Sequence, residues 1–139
     1  MEKAEIQALI REAFAAQKFA YVPYSHFHVG AALRGKNGQV FRGCNIENAS
    51  YTPTNCAERT ALFKAVSEGV REFDAIAIVG SKVGETNTLV TGPCGVCRQA
   101  LYEFGGPELP VILARSEADY IVTTLGDLLP YGCGPANLE

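Results

Sequence analysis

Apolar residues recur at helical spacing near the start of the chain and form short runs further along. Ile6, Leu9, Ile10 and Ala13 lie three or four positions apart or side by side. This spacing predicts an amphipathic surface helix over residues 2–18, with its apolar side on the core. Beyond it, short apolar runs predict strands, and two longer segments predict further helices.

Turn residues separate these elements. Lys36-Asn37-Gly38 predicts a hairpin turn, because Asn-Gly supplies the positive φ angles that such a turn requires. The polar residues 46–55 carry Pro53 and indicate a loop. We expect two further helices at 56–69 and 93–104, and Pro93 in the first turn of the second of these. The strands are expected at 28–34, 39–45, 75–79, 111–114 and 120–123. Residues 127–129 should form one helical turn at most.

The order of these elements predicts the class of fold. The run 75–79 is apolar throughout and indicates a strand that is buried on both faces. Residues 115–119 are too few for a crossover helix, so the last two strands should pair antiparallel. The order αββαβαββ therefore predicts a layered α/β fold with a five-stranded mixed sheet, and residues 1–139 as a single domain.

Composition and charge narrow the function. The net charge is −3 and Lys and Arg form no run, which argues against a nucleic acid as partner. The chain opens with acidic residues instead of the apolar stretch of a signal peptide, and no segment has the length needed to span a bilayer. These features predict a cytoplasmic protein that is bound to neither nucleic acid nor membrane.

The number and positions of the cysteines indicate metal binding or catalysis. There are 5 of them, an odd number that disfavours a disulfide framework and favours metal binding or catalysis. Cys56, Cys94 and Cys97 fall at predicted helix starts, where unpaired N–H groups favour thiolates. Cys94 and Cys97 lie one turn apart, so that with Cys56 they could ligate Zn²⁺ at about 2.3 Å. Cys44 and Cys133 lack a partner at ligand spacing, and Cys44 is better explained as a small core residue.

Three thiolates leave a zinc site negatively charged, so cations should lie nearby. Arg59 and Arg98 follow ligands and are the candidates, while Glu58 could reach a metal-bound water and move protons. Other interpretations remain. Asn55 and Glu58 also fit a capping box, and a lone Cys-x-x-Cys could be a redox pair or two buried thiols.

A resemblance supports the catalytic alternative. Cys56-Ala57-Glu58 followed by Pro93-Cys94-x-x-Cys97 matches the zinc-deaminase signature, and residues 23–130 resemble the small homotetrameric class of cytidine deaminases. The resemblance implies a three-layer α/β/α cytidine-deaminase-like fold and a homotetramer. It also implies one Zn²⁺ per subunit on the three cysteines, Glu58 as proton shuttle, and Arg59 hydrogen-bonded to the thiolates.

The same resemblance extends to a nucleoside site. Residues 43–48 resemble the family's nucleoside-binding segment, in which Asn45 and Glu47 would hold the ribose 3′-hydroxyl. Phe27 would pack against the pyrimidine, and the backbone of Ala57 would hold the base edge. A carboxylate accepts a hydrogen bond from a sugar hydroxyl but repels a phosphate, so Glu47 would favour free nucleosides over nucleotides and nucleic acids.

The implied activity is hydrolytic deamination of cytidine and 2′-deoxycytidine to uridine and 2′-deoxyuridine plus ammonia, in pyrimidine salvage. One alternative is a deaminase of another cytosine nucleoside such as blasticidin S. A second is a non-catalytic zinc-stabilised nucleoside-binding module, which would need a fourth protein ligand, with Cys133 or Cys44 as the candidates. The chain departs from the family at Cys133, where the family commonly has a Phe near the C-terminal end.

Overall fold

Five strands form one mixed sheet with helices on both faces in the computed structural model, which describes residues 1–86 and 88–139. Across the sheet the strand order is β2-β1-β3-β4-β5. In chain order the elements are α1 (Lys3–Gln17), β1 (Phe27–Gly35), β2 (Val40–Cys44), α2 (Ala57–Ser67), β3 (Phe73–Lys82), α3 (Gly95–Gly105), β4 (Pro110–Ala114), β5 (Tyr120–Thr124), α4 (Leu125–Leu128) and a 3₁₀ turn (Pro135–Leu138).

The pairing of the strands confirms the predicted mixed sheet. The hairpin β1–β2 is antiparallel, as is the pair β1–β3, whereas β3 and β4 run parallel with α3 in their connection. The last two strands are antiparallel, as the short connection predicted. At the hairpin turn Gly38 has the expected positive φ, +87°, whereas the φ of Asn37 is not positive, so the prediction of positive φ angles holds for Gly38 alone.

The two faces of the sheet bury different side chains. In β3, Ala75 and Ala77 face α1, whereas Ile76 and Ile78 face α2 and α3. All four side chains are fully buried, which confirms the prediction that this strand is covered on both faces. The helices therefore form the outer layers of a three-layer α/β/α fold.

Close contact between β2 and α2 fixes where α2 begins. A Cβ added to Gly43 would lie 2.3 Å from the carbonyl oxygen of Ala57 and 2.5 Å from the backbone nitrogen of Ala61. Since real Cβ atoms do not approach other atoms so closely, the absence of a side chain at Gly43 lets the N-terminal turn of α2 contact the strand. This contact places Cys56, the residue before the helix, beside the end of the sheet.

The predicted start of α3 was wrong. The helix begins at Gly95, with Cys94 in an extended conformation (φ −67°, ψ 168°) as N-cap, so Pro93 precedes the cap. Pro93 is buried, and the carbonyl of Cys94 accepts the first helical hydrogen bond from Arg98. None of the described helices combines the length and apolar character that crossing a lipid bilayer requires.

Candidate functional site

The N-termini of α2 and α3 hold three cysteines. Cys56 is the N-cap of α2 and Cys94 the N-cap of α3, while Cys97 lies in the first turn of α3. Neither sulfur caps a backbone N–H group of its own helix, so both are free to point away from the helix end. Two positive helix ends therefore meet where thiolates would be stabilised.

The three sulfur atoms are grouped at metal-ligand distances. The Sγ atoms of Cys56, Cys94 and Cys97 all lie within 4.8 Å of one another, and those of Cys56 and Cys94 are 3.8 Å apart. A tetrahedral Zn²⁺ with Zn–S bonds of about 2.3 Å requires sulfurs roughly 3.8 Å apart, so this donor set fits zinc. Within residues 1–86 and 88–139, the only group of three or more potential metal ligands is this one. Neither Cys44 nor Cys133 belongs to it.

Hydrogen bonds stabilise the thiolate form of Cys56. A bond from the Cys97 thiol, and another from Arg59, lower the pKa of Cys56 to about 5. Arg59 Nη2 donates to Cys56 Sγ at 3.4 Å. In turn, the bond to Cys56 and burial raise the pKa of Cys97, and metal binding, which requires the thiolate, would displace its proton.

Glu58 is nearly inaccessible at the first turn of α2. The residue is 3% exposed, and burial raises its pKa, with a further contribution from the Cys56 thiolate. The capping-box interpretation was wrong, since the N-cap is Cys56 and carries no side-chain cap bond. The Asn55 amide instead donates to Thr60 Oγ1 at 3.0 Å. A buried carboxyl two residues from one of the clustered sulfurs is suited to holding and moving protons.

The Arg98 side chain does not fill the role of counter-cation to the sulfurs that its sequence position suggested. Its Nε donates to the carbonyl of Pro93 and its Nη1 to the carbonyl of Leu128, both at 2.7 Å. Arg59 therefore supplies the thiolate hydrogen bond on α2, and Arg98 binds backbone.

The Glu47 carboxylate lies in a loop that β-bridges connect to the start of α2. Ile46 pairs with Asn55 through two backbone hydrogen bonds of 3.0 and 2.9 Å, which places Glu47 close in space to the segment that leads into Cys56. Glu47 Oε1 accepts the backbone N–H groups of Tyr24 at 3.0 Å and Ser25 at 3.1 Å, and its Oε2 accepts the Ser25 hydroxyl. These bonds, led by that of the Ser25 side chain, lower the pKa of Glu47.

Asn45 and Ser25 fix the backbone of Phe27. Asn45 Nδ2 donates to the Phe27 carbonyl at 2.9 Å, and its Oδ1 accepts the N–H of Val29 at 2.8 Å. The Phe27 N–H donates to Ser25 Oγ at 3.1 Å. The Phe27 ring packs against the core cluster that contains Ala57 and lines an open cleft of about 710 Å³.

Sequence patterns did not identify the contact of Ser25 with Glu47, or the pairing of His28 with Ser81. Ser25 carries no spacing signal, because its partners lie on a loop 22 residues away. His28 and Ser81 are likewise paired across the sheet, with His28 Nε2 at 3.1 Å from Ser81 Oγ. His28 is half-buried, and burial lowers its pKa.

The chain is similar to known proteins over most of its length. Residues 3–113 match the family described as the cytidine and deoxycytidylate deaminase zinc-binding region. A cytidine deaminase of Sporosarcina psychrophila is 49% identical over 91% of this chain and 89% of its own length. One of Halalkalibacterium halodurans is 53% identical over 89% and 90%. A crystal structure of cytidine deaminase from Burkholderia pseudomallei superposes with a TM-score of 0.83 at 52% identity, covering 91% of this chain and 97% of that one.

Proposed function

Since this chain belongs to the cytidine and deoxycytidylate deaminase family, we propose that it is a zinc-dependent enzyme that hydrolyses cytidine to uridine and ammonia. The observation that carries the proposal is the cluster of three cysteine sulfurs beside the buried Glu58. Residues 1–139 act as one catalytic domain, and the reaction serves pyrimidine salvage.

Cys56, Cys94 and Cys97 would hold the zinc ion, one per subunit. When bound, zinc would supply Lewis-acid activation of a water molecule. Arg59 offsets part of the negative charge of the thiolates through its bond to Cys56. Without such compensation, three thiolates would oppose the loss of a proton from the water.

Glu58 moves the protons of the reaction. Its carboxylate takes a proton from the attacking water and delivers it to N3 of the pyrimidine as oxygen adds at C4. It then carries the second proton to the 4-amino group, which leaves as ammonia, so one water is consumed for each uridine formed. Burial of Glu58 supports this role, because a carboxyl shielded from solvent exchanges protons with the substrate instead of bulk water.

Phe27, Asn45, Glu47 and the backbone of Ala57 hold the nucleoside. A carboxylate offers roughly four acceptor positions, and three protein bonds to Glu47 leave one for the ribose 3′-hydroxyl. The Asn45 amide keeps one N–H for the sugar, since its other bonds are to Phe27 and Val29. The 3′-hydroxyl is common to both sugars, so cytidine and 2′-deoxycytidine are both substrates.

The protein acts as a homotetramer in the cytoplasm, without nucleic acid or membrane as partner. Large apolar side chains on the surface support association of copies: Tyr51 is 75% and Phe19 76% exposed. The net charge of −3 argues against a nucleic acid as partner. Sedimentation at low protein concentration tests the assembly, and a monomer that retains full activity would contradict it.

The deciding experiment follows the ultraviolet absorbance of cytidine mixed with the purified, zinc-loaded protein. We expect steady loss of the cytidine band, release of one ammonia per uridine, and turnover of 2′-deoxycytidine. If cytidine is inert and blasticidin S reacts, the enzyme serves a different cytosine nucleoside. If zinc is bound through a fourth protein ligand and no nucleoside reacts, the chain is a binding module.

A further inference from the structure

Arg98 joins two backbone carbonyls that lie far apart in sequence. The carbonyl of Pro93, which accepts from Arg98 Nε at 2.7 Å, belongs to the peptide bond that leads into Cys94. The carbonyl of Leu128, which accepts from Nη1 at 2.7 Å, is at the end of α4. Arg98 itself follows Cys97 in sequence. One guanidinium thus connects the peptide before one sulfur ligand to the helical turn that carries another.

Two more side chains of α3 hold the C-terminal segment, residues 128–134. Gln99 Nε2 donates to the carbonyl of Cys133 at 2.7 Å. The ring of Tyr102 packs so closely on Gly134 that an added Cβ there would lie 2.7 Å from it. The helix that supplies two of the three sulfurs is therefore also the surface on which this segment is bound.

We propose that Arg98 is a positioning residue of the metal centre, and that it couples zinc binding to the order of the C-terminal segment. The proposal rests on the proposed zinc site. Through Pro93, Arg98 fixes the orientation of the Cys94 peptide relative to Cys97, so that both sulfurs are held at ligand spacing before zinc arrives. Partners that orient metal ligands in this way contribute about 10- to 100-fold to metal affinity.

The neighbouring Gln99 distinguishes positioning of the metal ligands from simple attachment of the C-terminal segment. Both residues bind backbone carbonyls of that segment, but the hydrogen bond to Pro93 is made by Arg98. If Arg98 served the segment alone, losing either side chain would have the same effect on zinc. If Arg98 positions Cys94, only its loss should weaken zinc binding.

The test compares Arg98→Met, Gln99→Met and Arg11→Met in the full-length, zinc-loaded protein. Arg11 is paired with Glu117, in contacts that do not involve the cysteines, and serves as the matched control. Zinc release to a chromogenic chelator should be at least about tenfold faster in Arg98→Met and within about twofold of the original in the other two. Arg98→Lys should be intermediate, because a single ammonium cannot reproduce the two-point geometry of a guanidinium.

Two further measurements report on each half of the proposal. The cobalt-substituted protein should show a thiolate-to-cobalt absorption spectrum that changes in Arg98→Met and stays the same in Gln99→Met. Hydrogen exchange should show that removing zinc from the original protein speeds exchange in residues 128–134. In Arg98→Met this segment should exchange fast with or without zinc.

Several outcomes would overturn the inference. If Arg98→Met releases zinc at the same rate as the unsubstituted protein, Arg98 only attaches the C-terminal segment and does not position the metal ligands. If Arg98→Met fails to fold, the proposal is tested by zinc release from Arg98→Lys and by hydrogen exchange in the unsubstituted protein. A rate of exchange in residues 128–134 that is the same with and without zinc would refute the coupling. An original protein without a three-thiolate cobalt spectrum would instead refute the proposed zinc site itself.

Discussion

Glu47 binds Ser25 at two points, with Oε1 on its backbone N–H at 3.1 Å and Oε2 on its hydroxyl. The same hydroxyl accepts the N–H of Phe27, so a short chain of hydrogen bonds connects the proposed ribose-binding carboxylate to the proposed base-stacking ring. The intervening His26 has a φ of +56°, a left-handed conformation that costs about 1 kcal/mol or more outside glycine. These contacts hold a strained turn in one conformation.

Replacing Ser25 with Ala should therefore weaken nucleoside binding without slowing the chemical step. The hydroxyl makes two hydrogen bonds, each worth about 0.5–1.5 kcal/mol, so KM for cytidine should rise roughly 5-fold or more with little change in kcat. Steady-state kinetics measure both constants. Ser25→Thr should recover most of the affinity, and Ser67→Ala on α2 is the matched control. A fall in kcat by the same factor as the rise predicted for KM would instead show that Ser25 contributes to the chemical step.

Glu58→Gln should abolish most turnover while zinc and fold remain. Gln has nearly the same shape but cannot carry protons, so kcat should fall by roughly 100-fold or more. Metal analysis and circular dichroism check that the variant is otherwise intact. Glu68→Gln, at the exposed end of the same helix, should be as active as the original. Normal turnover in Glu58→Gln would remove the carboxyl from the mechanism.

The affinity for cytidine should depend on pH through Glu47. Its pKa is lowered in the folded protein, so its stabilising bonds are fully present above the ordinary Glu value of 4.5 and are lost as the pH falls through the lowered pKa. KM for cytidine should thus stay flat from neutral pH down to that range and rise below it. Glu47→Gln should remove this dependence and raise KM at neutral pH. If KM for cytidine is the same in Glu47→Gln as in the unsubstituted protein, Glu47 does not belong to the nucleoside site.

A phosphate on the 3′-oxygen should be rejected because of the charge of Glu47. Cytidine 3′-monophosphate should react far more slowly than cytidine, since two negative groups would meet at the same place. In Glu47→Gln the ratio of kcat/KM between these two substrates should shrink, even though cytidine itself binds less well. A ratio that stays constant would show that shape, and not charge, excludes the phosphate.

Removal of zinc should inactivate the protein and lower its stability. A metal bound to the native state stabilises it by mass action, so chelation should lower Tm, and added zinc should restore both Tm and activity. Cys94→Ser should bind zinc weakly. Cys133→Ser and Cys44→Ser should keep one zinc per chain, because neither residue belongs to the sulfur cluster. Loss of zinc from either of these two variants would favour the four-ligand binding module.

The sequence predicted most of the secondary structure because the patterns involved are local. Helix α1 appears as Lys3–Gln17 against a predicted 2–18, and the buried strand and the final antiparallel pair are where they were expected. The grouping of the three sulfurs was also predictable, since Cys56, Cys94 and Cys97 all fall at predicted helix starts and Cys94 and Cys97 lie one helical turn apart. Family resemblance, and not spacing, added the nucleoside-binding residues and the activity.

Only the tertiary structure decided which groups meet. Cys56 and Cys94 are 38 residues apart, and packing of α2 and α3 on the same face of the sheet brings their sulfurs to 3.8 Å. Spacing left open whether Glu58 caps the helix or moves protons, and it suggested Arg98 as a partner of thiolates. Both questions depend on where a long side chain points once neighbouring elements surround it. That direction is set by burial and hydrogen bonding to distant backbone, which no local pattern of residues records.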